Sequence, residues 1–387
     1  MKIVIYGLAI TSSWGNGHAT TYRSLCKALA RRGHQVHFIE KNVEWFRDNR
    51  DMPHPEFCKV HLYTDWAESE RSLIRVSKDA DAIVVGSYFP DAIAATESLL
   101  QTDHAQLIFY DIDTPITIAK LRADGGTEYI NISQIPHFSA YLSFTGGPVL
   151  REIEERFGSP CAVPFYCSVD PELYRPKPVD REFQCALSYL GTHAKDRQPK
   201  LMKFLNETAE LLPDSRFIVA GAQYPEDTPW AKNVERIIHL SPPDHPSFYS
   251  SSKFTLNLTR EEMVAAGYSP SVRLFEASAC GAAIVSDSWK GLEHFLTPNE
   301  EVLLPKDAYE VAQIIRTMPD VEITRMGLNA RERILSEHTA AHRAIQFEQI
   351  VSRCSGASAR ATAAAQKETK GTGPAVPEKA VRAGVCP

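Results

Sequence analysis

The segment SPSVRLFEASACGAAIVSD, residues 269–287, indicates the fold most directly. Ser269–Ser271 predicts a helix start, because serine caps helix N-termini and proline suits the first turn. Cys280-Gly281 ends the short helix, and the apolar run Ala283–Ser286 that follows predicts a buried strand. A helix that leads directly into an apolar strand is part of a βαβ unit. The segment therefore favours a parallel α/β sheet.

Two series of such units extend outward from this segment. The predicted strands are Lys2–Tyr6, Gln35–Glu40, Ala82–Val85, Gln106–Tyr110 and Ala140–Phe144 in the first series, and Cys185–Leu190, Arg216–Ala220, Arg236–Leu240, Phe254–Leu258 and Ala283–Ser286 in the second. The predicted helices include Ala19–Arg32, Pro199–Leu211, Ala308–Arg316 and Thr339–Val351. Strands that alternate with helices predict α/β architecture with two tandem, Rossmann-like, doubly wound sheets and a cleft between them.

The pattern predicts five consecutive segments. They are a first domain at 1–165, a proline-punctuated linker at 166–183, a second domain at 184–336, a last helix at 337–353 and a tail at 354–387. The tail consists mostly of small and polar residues and has no apolar periodicity, so we expect it to be disordered.

Composition excludes several classes of protein. The net charge of −6 gives no basic surplus for nucleic acid or an anionic membrane. No apolar run approaches the length of a membrane span, and the short run after Lys2 is better explained as a first strand than as a signal peptide. The 8 cysteines form no C-x-x-C pair, so we expect reduced thiols in a cytoplasmic protein and no metal site.

The turn between the first strand and the first helix reads SSWGNGH, residues 12–18. Gly15, Asn16 and Gly17 let the backbone approach a ligand closely beside a helix N-terminus. A dinucleotide fingerprint would need a third glycine where Thr20 stands, which argues against NAD. His18 is a candidate general base or hydroxyl ligand, and its alternative is a polar residue that caps the helix.

Two carboxylates, Asp111 and Asp113, follow the predicted strand Gln106–Tyr110. A D-x-D pair can hold a divalent metal, because hard cations prefer carboxylate oxygens. At the carboxyl edge of a sheet in a tandem architecture, a general base or a substrate contact suits either residue better. The alternative is that an aspartate caps the helix that begins near Thr114-Pro115.

A binding site for a phosphorylated ligand is predicted in the second series. Gly191 and Thr192 follow a strand, and Arg197 or Lys200 comes at the next helix start, where N–H groups and cations favour phosphate. Arg273 lies in the first turn of the helix in our opening segment, and Glu276 comes three residues later, within reach of ribose hydroxyls. The full set predicted for this site is Gly191, Thr192, Arg197, Ser269, Ser271, Val272, Arg273 and Glu276.

These residues resemble the GT-B-fold glycosyltransferases of family 1 or 4 type, and in particular the branch of CgeB-like spore maturation proteins. The resemblance rests on R-x-F-E-A-x-A-C-G at 273–281 and on the sequence that follows through Leu304. It implies a nucleotide-sugar donor on the second domain, with Glu276 at the ribose, and a C-terminal helix that crosses back to the first domain. It also implies no essential metal. Relatives that retain anomeric configuration often carry a glutamate at the position of Tyr268, so the resemblance leaves the stereochemistry open.

Three functions remain open from the sequence. The first is a metal-independent glycosyltransferase that transfers a sugar to an unidentified hydroxyl acceptor, with Gly15–Gly17 as an acceptor-side loop and His18, Asp111 or Asp113 as the base. The second is a nucleotide-sugar 2-epimerase, which would consume donor without acceptor. The third is a GT-B-like protein that binds nucleotide sugar without catalysis, which the absence of a glutamate at Tyr268 suggests.

Overall fold

The computed structural model describes residues 1–15, 17–102 and 106–371, with side chains described as far as Ser355. The first of its two parallel sheets has 7 strands. These strands are β1 (Lys2–Tyr6), β2 (Gln35–Lys41), β3 (Lys59–Tyr63), β4 (Ala82–Gly86), β5 (Leu107–Asp111), β6 (Ala140–Ser143) and β7 (Ala162–Pro164). Their helices are α1 (Gly17–Arg31), α2 (Glu44–Arg47), α3 (Trp66–Ser77), α4 (Ala92–Leu100), α5 (Thr114–Asp124) and α6 (Pro148–Glu155).

The second sheet has 6 strands. They are β8 (Cys185–Leu190), β9 (Phe217–Ala220), β10 (Val234–Ile237), β11 (Ser252–Asn257), β12 (Ile284–Ser286) and β13 (Val302–Leu303). The accompanying helices are α7 (Gln198–Leu201), α8 (Glu207–Leu211), α9 (His245–Ser251), α10 (Glu261–Ala266), α11 (Val272–Ala279), α12 (Ala308–Thr317), α13 (Asp320–Glu337) and α14 (Ala340–Gly371). A π-helical turn, Met202–Asn206, joins α7 to α8.

Both sheets have the same strand order. The first runs β3-β2-β1-β4-β5-β6-β7 and the second β10-β9-β8-β11-β12-β13, with every registered pair parallel. Helices cover both faces, so the central strands are apolar throughout, as Ile3, Val4 and Ile5 in β1 illustrate. The order reverses beside β1 and beside β8. Ligands of open α/β sheets bind at the carboxyl ends of the strands near such points.

The predicted architecture of two doubly wound domains is confirmed, and all but one of the predicted strand boundaries agree with the structure to within two residues. Three strands were not predicted: β3, β7 and β13. β3 lies at the sheet edge with exposed positions, while β7 and β13 are only 3 and 2 residues long, too short for a periodic signal. The strand predicted at Arg236–Leu240 is instead Val234–Ile237, because its pairing with β9 sets the register.

The tail differs from the prediction. Helix α14 continues to Gly371, so 354–371 is helical where we expected disorder. The cause is composition, since 357–366 is rich in alanine, the strongest helix former. The remainder of that prediction, 372–387, lies outside the described residues.

Helix α14 begins after the second sheet and packs against α1 of the first. Its Arg343 donates from Nε to the carbonyl of Tyr166 at 2.9 Å, and Gln346 donates to the carbonyl of Pro164 at 2.8 Å. The two sheets are thus held together beside the cleft. Within the part of the chain that the structure describes, no helix is long and apolar enough to cross a bilayer.

Candidate active site

A cleft of about 370 Å³ lies between the carboxyl ends of the two sheets. The loops that follow β1, β5, β8, β9, β10 and β11 line it, together with the start of α11. Of the residues predicted from sequence, those that line the cleft are Gly15, Gly17, His18, Asp113, Gly191, Thr192, Arg197, Ser271, Val272, Arg273 and Glu276. The structure therefore brings the two predicted groups together on opposite walls of one cavity.

Helix α11 directs its N-terminus into the cleft. It begins at Val272 with Ser271 as N-cap, one residue later than Pro270 suggested, because the proline lies before the cap. The Ser271 hydroxyl makes no cap bond and donates instead to Oδ1 of Asn257 at 2.6 Å. The first-turn N–H groups are thus without a side-chain cap, and such a terminus attracts an anion.

The Arg273 guanidinium is held in a fixed position. Its Nε donates to the carbonyl of Leu190 and its Nη1 to Asn257, at 2.5 and 3.3 Å, while its Cζ lies 4.6 Å from the centre of the Tyr189 ring. Only 8% of the residue is exposed. A charge that is fixed in this way by packing and hydrogen bonds stabilises an anionic ligand without first paying the entropy of ordering.

Glu276 lies one turn further along the same face and is 6% exposed. Burial raises the pKa of this carboxyl to about 7, although the Tyr174 hydroxyl and the Arg273 charge oppose the shift. His245 Nδ1 is 4.0 Å from the carboxylate. Burial also lowers the pKa of His245 to about 4, so the imidazole is neutral at pH 7 and this contact is not an ion pair.

The loop after β8 completes this wall. A Cβ added at Gly191 would lie 2.6 Å from Nη2 of Arg273, so a larger residue there would displace this guanidinium. Arg197 donates from Nη2 to the carbonyl of Thr192 at 2.8 Å, and its buried Nε has no hydrogen-bond partner among the described residues. Arg260 also lines the cleft. Three arginines on one wall suit a diphosphate, which accepts charge-assisted hydrogen bonds.

His18 and Asp113 form a pair on the opposite wall. His18 Nε2 lies 3.9 Å from Oδ2 of Asp113, and the side chains are 14% and 22% exposed. Burial raises the pKa of Asp113, but His18, with smaller effects from Arg260 and Tyr88, lowers it below the ordinary value overall. Asp113 is the residue before α5 but makes no side-chain cap bond there, so the capping alternative is not the one observed.

Two of the predicted residues that the structure describes, Asp111 and Ser269, do not line the cleft. Asp111 is fully buried and accepts from Tyr141 at 2.5 Å and Thr117 at 2.9 Å, and burial raises its pKa to about 6. It therefore shapes the turn that carries Asp113, whose backbone N–H donates to it at 3.3 Å, and it lies outside the lining of the cleft. The hydroxyl of Ser269 bonds that of Thr145 at 2.8 Å. Asn16 lies outside the described residues.

Charged side chains hold the loop after β1. The fully buried Glu40 accepts from the backbone N–H groups of Ile10 and Thr11, at 2.7 and 3.0 Å. Arg23 of α1 makes a two-pronged ion pair with Asp51 at 2.8 Å, and Asp51 also accepts from Ser13. The backbone from Ile10 to Ser13 is thus held by charged side chains of the first domain.

Sequence reasoning missed several residues of the cleft: Gly221, Ala222, His239, His245, Tyr249, Arg260 and Met263. Gly221 ends β9 just as Gly191 ends β8, and this repetition was a usable signal. His245 and Tyr249 reach Glu276 from α9, and nothing in their local sequence marks them. Among the described residues, no group of three or more His, Cys, Asp or Glu side chains is placed to hold a metal ion.

Residues 197–349 match the model of a family described as "Glycosyl transferase-like". A search of curated protein sequences finds no match. The matched segment contains α11 with Arg273 and Glu276, and it leaves His18 and Asp113 outside.

Several solved structures share the fold. Sucrose-phosphate synthase from Thermosynechococcus elongatus superposes with a TM-score of 0.66 at 14% identity, over 92% of this chain and 100% of the synthase. Anabaena HepE, in complex with UDP-glucose, gives 0.68 at 13% identity over 91% and 100%. AviGT4, a glycosyltransferase involved in avilamycin A biosynthesis, gives 0.56 at 13% identity over 92% and 98%. With a GT-B fold and a glycosyl transferase-like domain at 197–349, the chain is a glycosyltransferase.

Proposed function

We propose that the chain transfers a sugar from a UDP-sugar to a hydroxyl acceptor, without a metal ion. The observation that carries the proposal is the opposition of two groups across one cleft. Helix α11 presents Arg273 and Glu276 from the second domain, and His18 and Asp113 face them from the first. Structures of the similar HepE with UDP-glucose support UDP as the nucleotide.

In this proposal the donor nucleotide lies on the second domain. The ribose hydroxyls donate to the Glu276 carboxylate, and the diphosphate accepts from the uncapped N–H groups of α11 and from Arg197 and Arg260. Arg197, Arg260 and Arg273, together with a helix N-terminus, neutralise the leaving diphosphate, which is the task a metal ion performs in other enzymes.

The acceptor reacts from the side of the first domain. Its hydroxyl proton moves to the His18 imidazole, and the Asp113 carboxylate stabilises the imidazolium that forms. The acceptor oxygen bonds to the anomeric carbon while the bond from that carbon to the diphosphate oxygen breaks, and its electron pair leaves with UDP. Direct displacement of this kind inverts the anomeric carbon.

Two finer assignments belong to the proposal as well. The motif at 273–281 supports a place in the CgeB-like branch, and the free state of the described cysteines supports a cytoplasmic protein. The proposal also includes a first domain at 1–165 and a second at 184–336, with α14 as the helix that crosses back to the first domain.

A ligand panel tests the nucleotide assignment. The melting temperature is measured with UDP, GDP, TDP and their glucose conjugates, in EDTA throughout, since a bound ligand stabilises the folded state by mass action. We expect a rise with UDP and UDP-glucose that EDTA leaves intact. A rise with GDP alone would contradict the UDP assignment, and a rise that needs a divalent ion would contradict metal independence.

The affinity for UDP should depend on pH through Glu276. The pKa of this carboxyl is about 7, and only the ionised form accepts hydrogen bonds with both oxygens. Affinity should therefore level off above pH 7 and fall by up to about tenfold for each pH unit below it. Calorimetric titration at pH values on both sides of 7 measures this, and Tyr174→Phe should move the midpoint upward. An affinity that does not change with pH would show that Glu276 does not bind the ribose.

A further inference from the structure

Tyr268 occupies an unusual position at the seam between the two domains. Its backbone φ is +49°, a left-handed conformation that bulky residues rarely adopt, and Gly267 before it has φ +67°. Tyr268 ends the loop from α10 and immediately precedes Ser269 and the start of α11. It is not among the residues that line the cleft. A conformation of this kind persists only where the surroundings enforce it.

The Tyr268 ring lies between two glycines from different domains. A Cβ added to Gly147 of the first domain would be 2.3 Å from Cδ2 of the ring. A Cβ added to Gly291 of the second domain would be 2.4 Å from Cδ1, on the opposite edge. The ring of His294 packs nearby, with its centre 5.1 Å away. The two domains thus approach each other through one aromatic ring, at a point where neither glycine can carry a side chain.

The main chain of Tyr268 also connects the two domains. The Tyr268 N–H donates to the carbonyl of Lys290 in the second domain at 2.6 Å, and the Tyr268 carbonyl accepts from Gly146 of the first domain at 3.0 Å. The next residue, Ser269, continues the bridge through the hydroxyl of Thr145 at 2.8 Å. The segment that leads into α11 is therefore docked on the loop after β6.

We propose that Tyr268 is a positioning residue that fixes the first domain against the start of the donor helix. The inference rests on the proposed function, since its effect on turnover requires His18 and Asp113 to act on a donor held by α11. At this position the chain uses an aromatic spacer and no sugar-binding carboxylate. The spacer sets the distance between the wall that holds the base and the wall that holds the nucleotide.

The test adds one methyl group at Gly147, where the first domain contacts the Tyr268 ring. Gly147→Ala forces the Tyr268 ring to move. Gly125→Ala is the control for an alanine at positive φ, because Gly125 has φ +72° and no atom within 4 Å of the added Cβ, although its ψ of 2° differs from the −146° of Gly147. Relative to the control, Gly147→Ala should lower kcat roughly 10- to 100-fold, since small misplacements of reacting groups are costly. The UDP affinity, which depends on the second domain alone, should stay within about twofold.

Three results would overturn the proposal. They are equal turnover in Gly147→Ala and Gly125→Ala, a loss of UDP affinity in parallel with kcat, and a large loss of kcat in Tyr268→Phe. The last result would make the hydroxyl the functional group, whereas spacing by the ring predicts that Tyr268→Phe behaves like the wild type. Small-angle scattering adds a readout that needs no activity, and it should show a changed domain arrangement in Gly147→Ala only. If the proposed function itself fails, the wild type shows neither UDP binding nor turnover, and scattering still decides whether Tyr268 spaces the domains.

Discussion

Glu276→Gln is expected to weaken UDP binding by about 10- to 100-fold, because hydrogen bonds to a charged group contribute about 1.5–3 kcal/mol and glutamine accepts with one oxygen only. Glu276 is 6% exposed and lines the cleft beside Arg273. Calorimetric titration with UDP above pH 7, where the wild-type carboxyl is ionised, measures the effect directly.

The stability of this variant separates a binding role from a structural one. The folded-state pKa of Glu276 lies above the ordinary 4.5, so its ionisation costs stability as pH rises from 4.5 through about 7, and the full cost is present above that. Glutamine carries no such cost. We therefore expect a melting temperature at pH 8 that equals or exceeds that of the wild type. The control is Glu293→Gln, at an exposed glutamate of the same domain. It should change neither the UDP affinity nor the melting temperature. Unchanged UDP affinity in Glu276→Gln would contradict the donor site.

His18→Gln is expected to lower kcat by about 10²- to 10⁴-fold, the range that a positioned general base contributes. The UDP affinity should remain that of the wild type, because His18 lies on the opposite wall from Arg273 and Glu276. Asp113→Asn removes the charge that stabilises the imidazolium and should lower kcat in the same direction. Initial rates with UDP-glucose and a hydroxyl acceptor give the numbers, and His137→Gln, an exposed histidine of the first domain, is the control.

Product stereochemistry is a second readout of the same assignment. Displacement assisted by a base converts an α-linked donor into a β-linked product, which the NMR coupling of the anomeric proton identifies. An α-linked product, or a His18→Gln enzyme with nearly full kcat, would show that the acceptor proton leaves by another route.

The sequence was sufficient to predict the fold and the position of Arg273 and Glu276 on one wall of the cleft. Buried parallel strands are continuous apolar runs, and the helix start at 269–271 lies between two of them, so both signals are local. Arg273 and Glu276 are on one helix, and their proximity follows from helical spacing. Gly15, Gly17 and His18 follow the predicted strand β1 in the sequence, so their place at its carboxyl edge could be predicted as well.

Contacts between distant segments were beyond prediction. Choosing between Asp111 and Asp113 depends on which side chain Tyr141 and Thr117 enclose, and no local pattern reveals that. His245 and Tyr174 reach Glu276 from α9 and from the linker, as a result of packing between segments. From the sequence, Tyr268 could be described only as a position where relatives often carry a glutamate. The structure shows that its ring contacts Gly147 of the first domain.

The central claim is that the second-domain wall of the cleft binds UDP and the first-domain wall supplies the general base. One paired measurement tests it most directly. UDP affinity by calorimetry and turnover of UDP-glucose are measured on Glu276→Gln and His18→Gln side by side. The account predicts that Glu276→Gln loses both affinity and turnover, whereas His18→Gln binds UDP like the wild type and loses turnover alone. Weakened UDP binding in His18→Gln, or wild-type UDP affinity in Glu276→Gln, would contradict it.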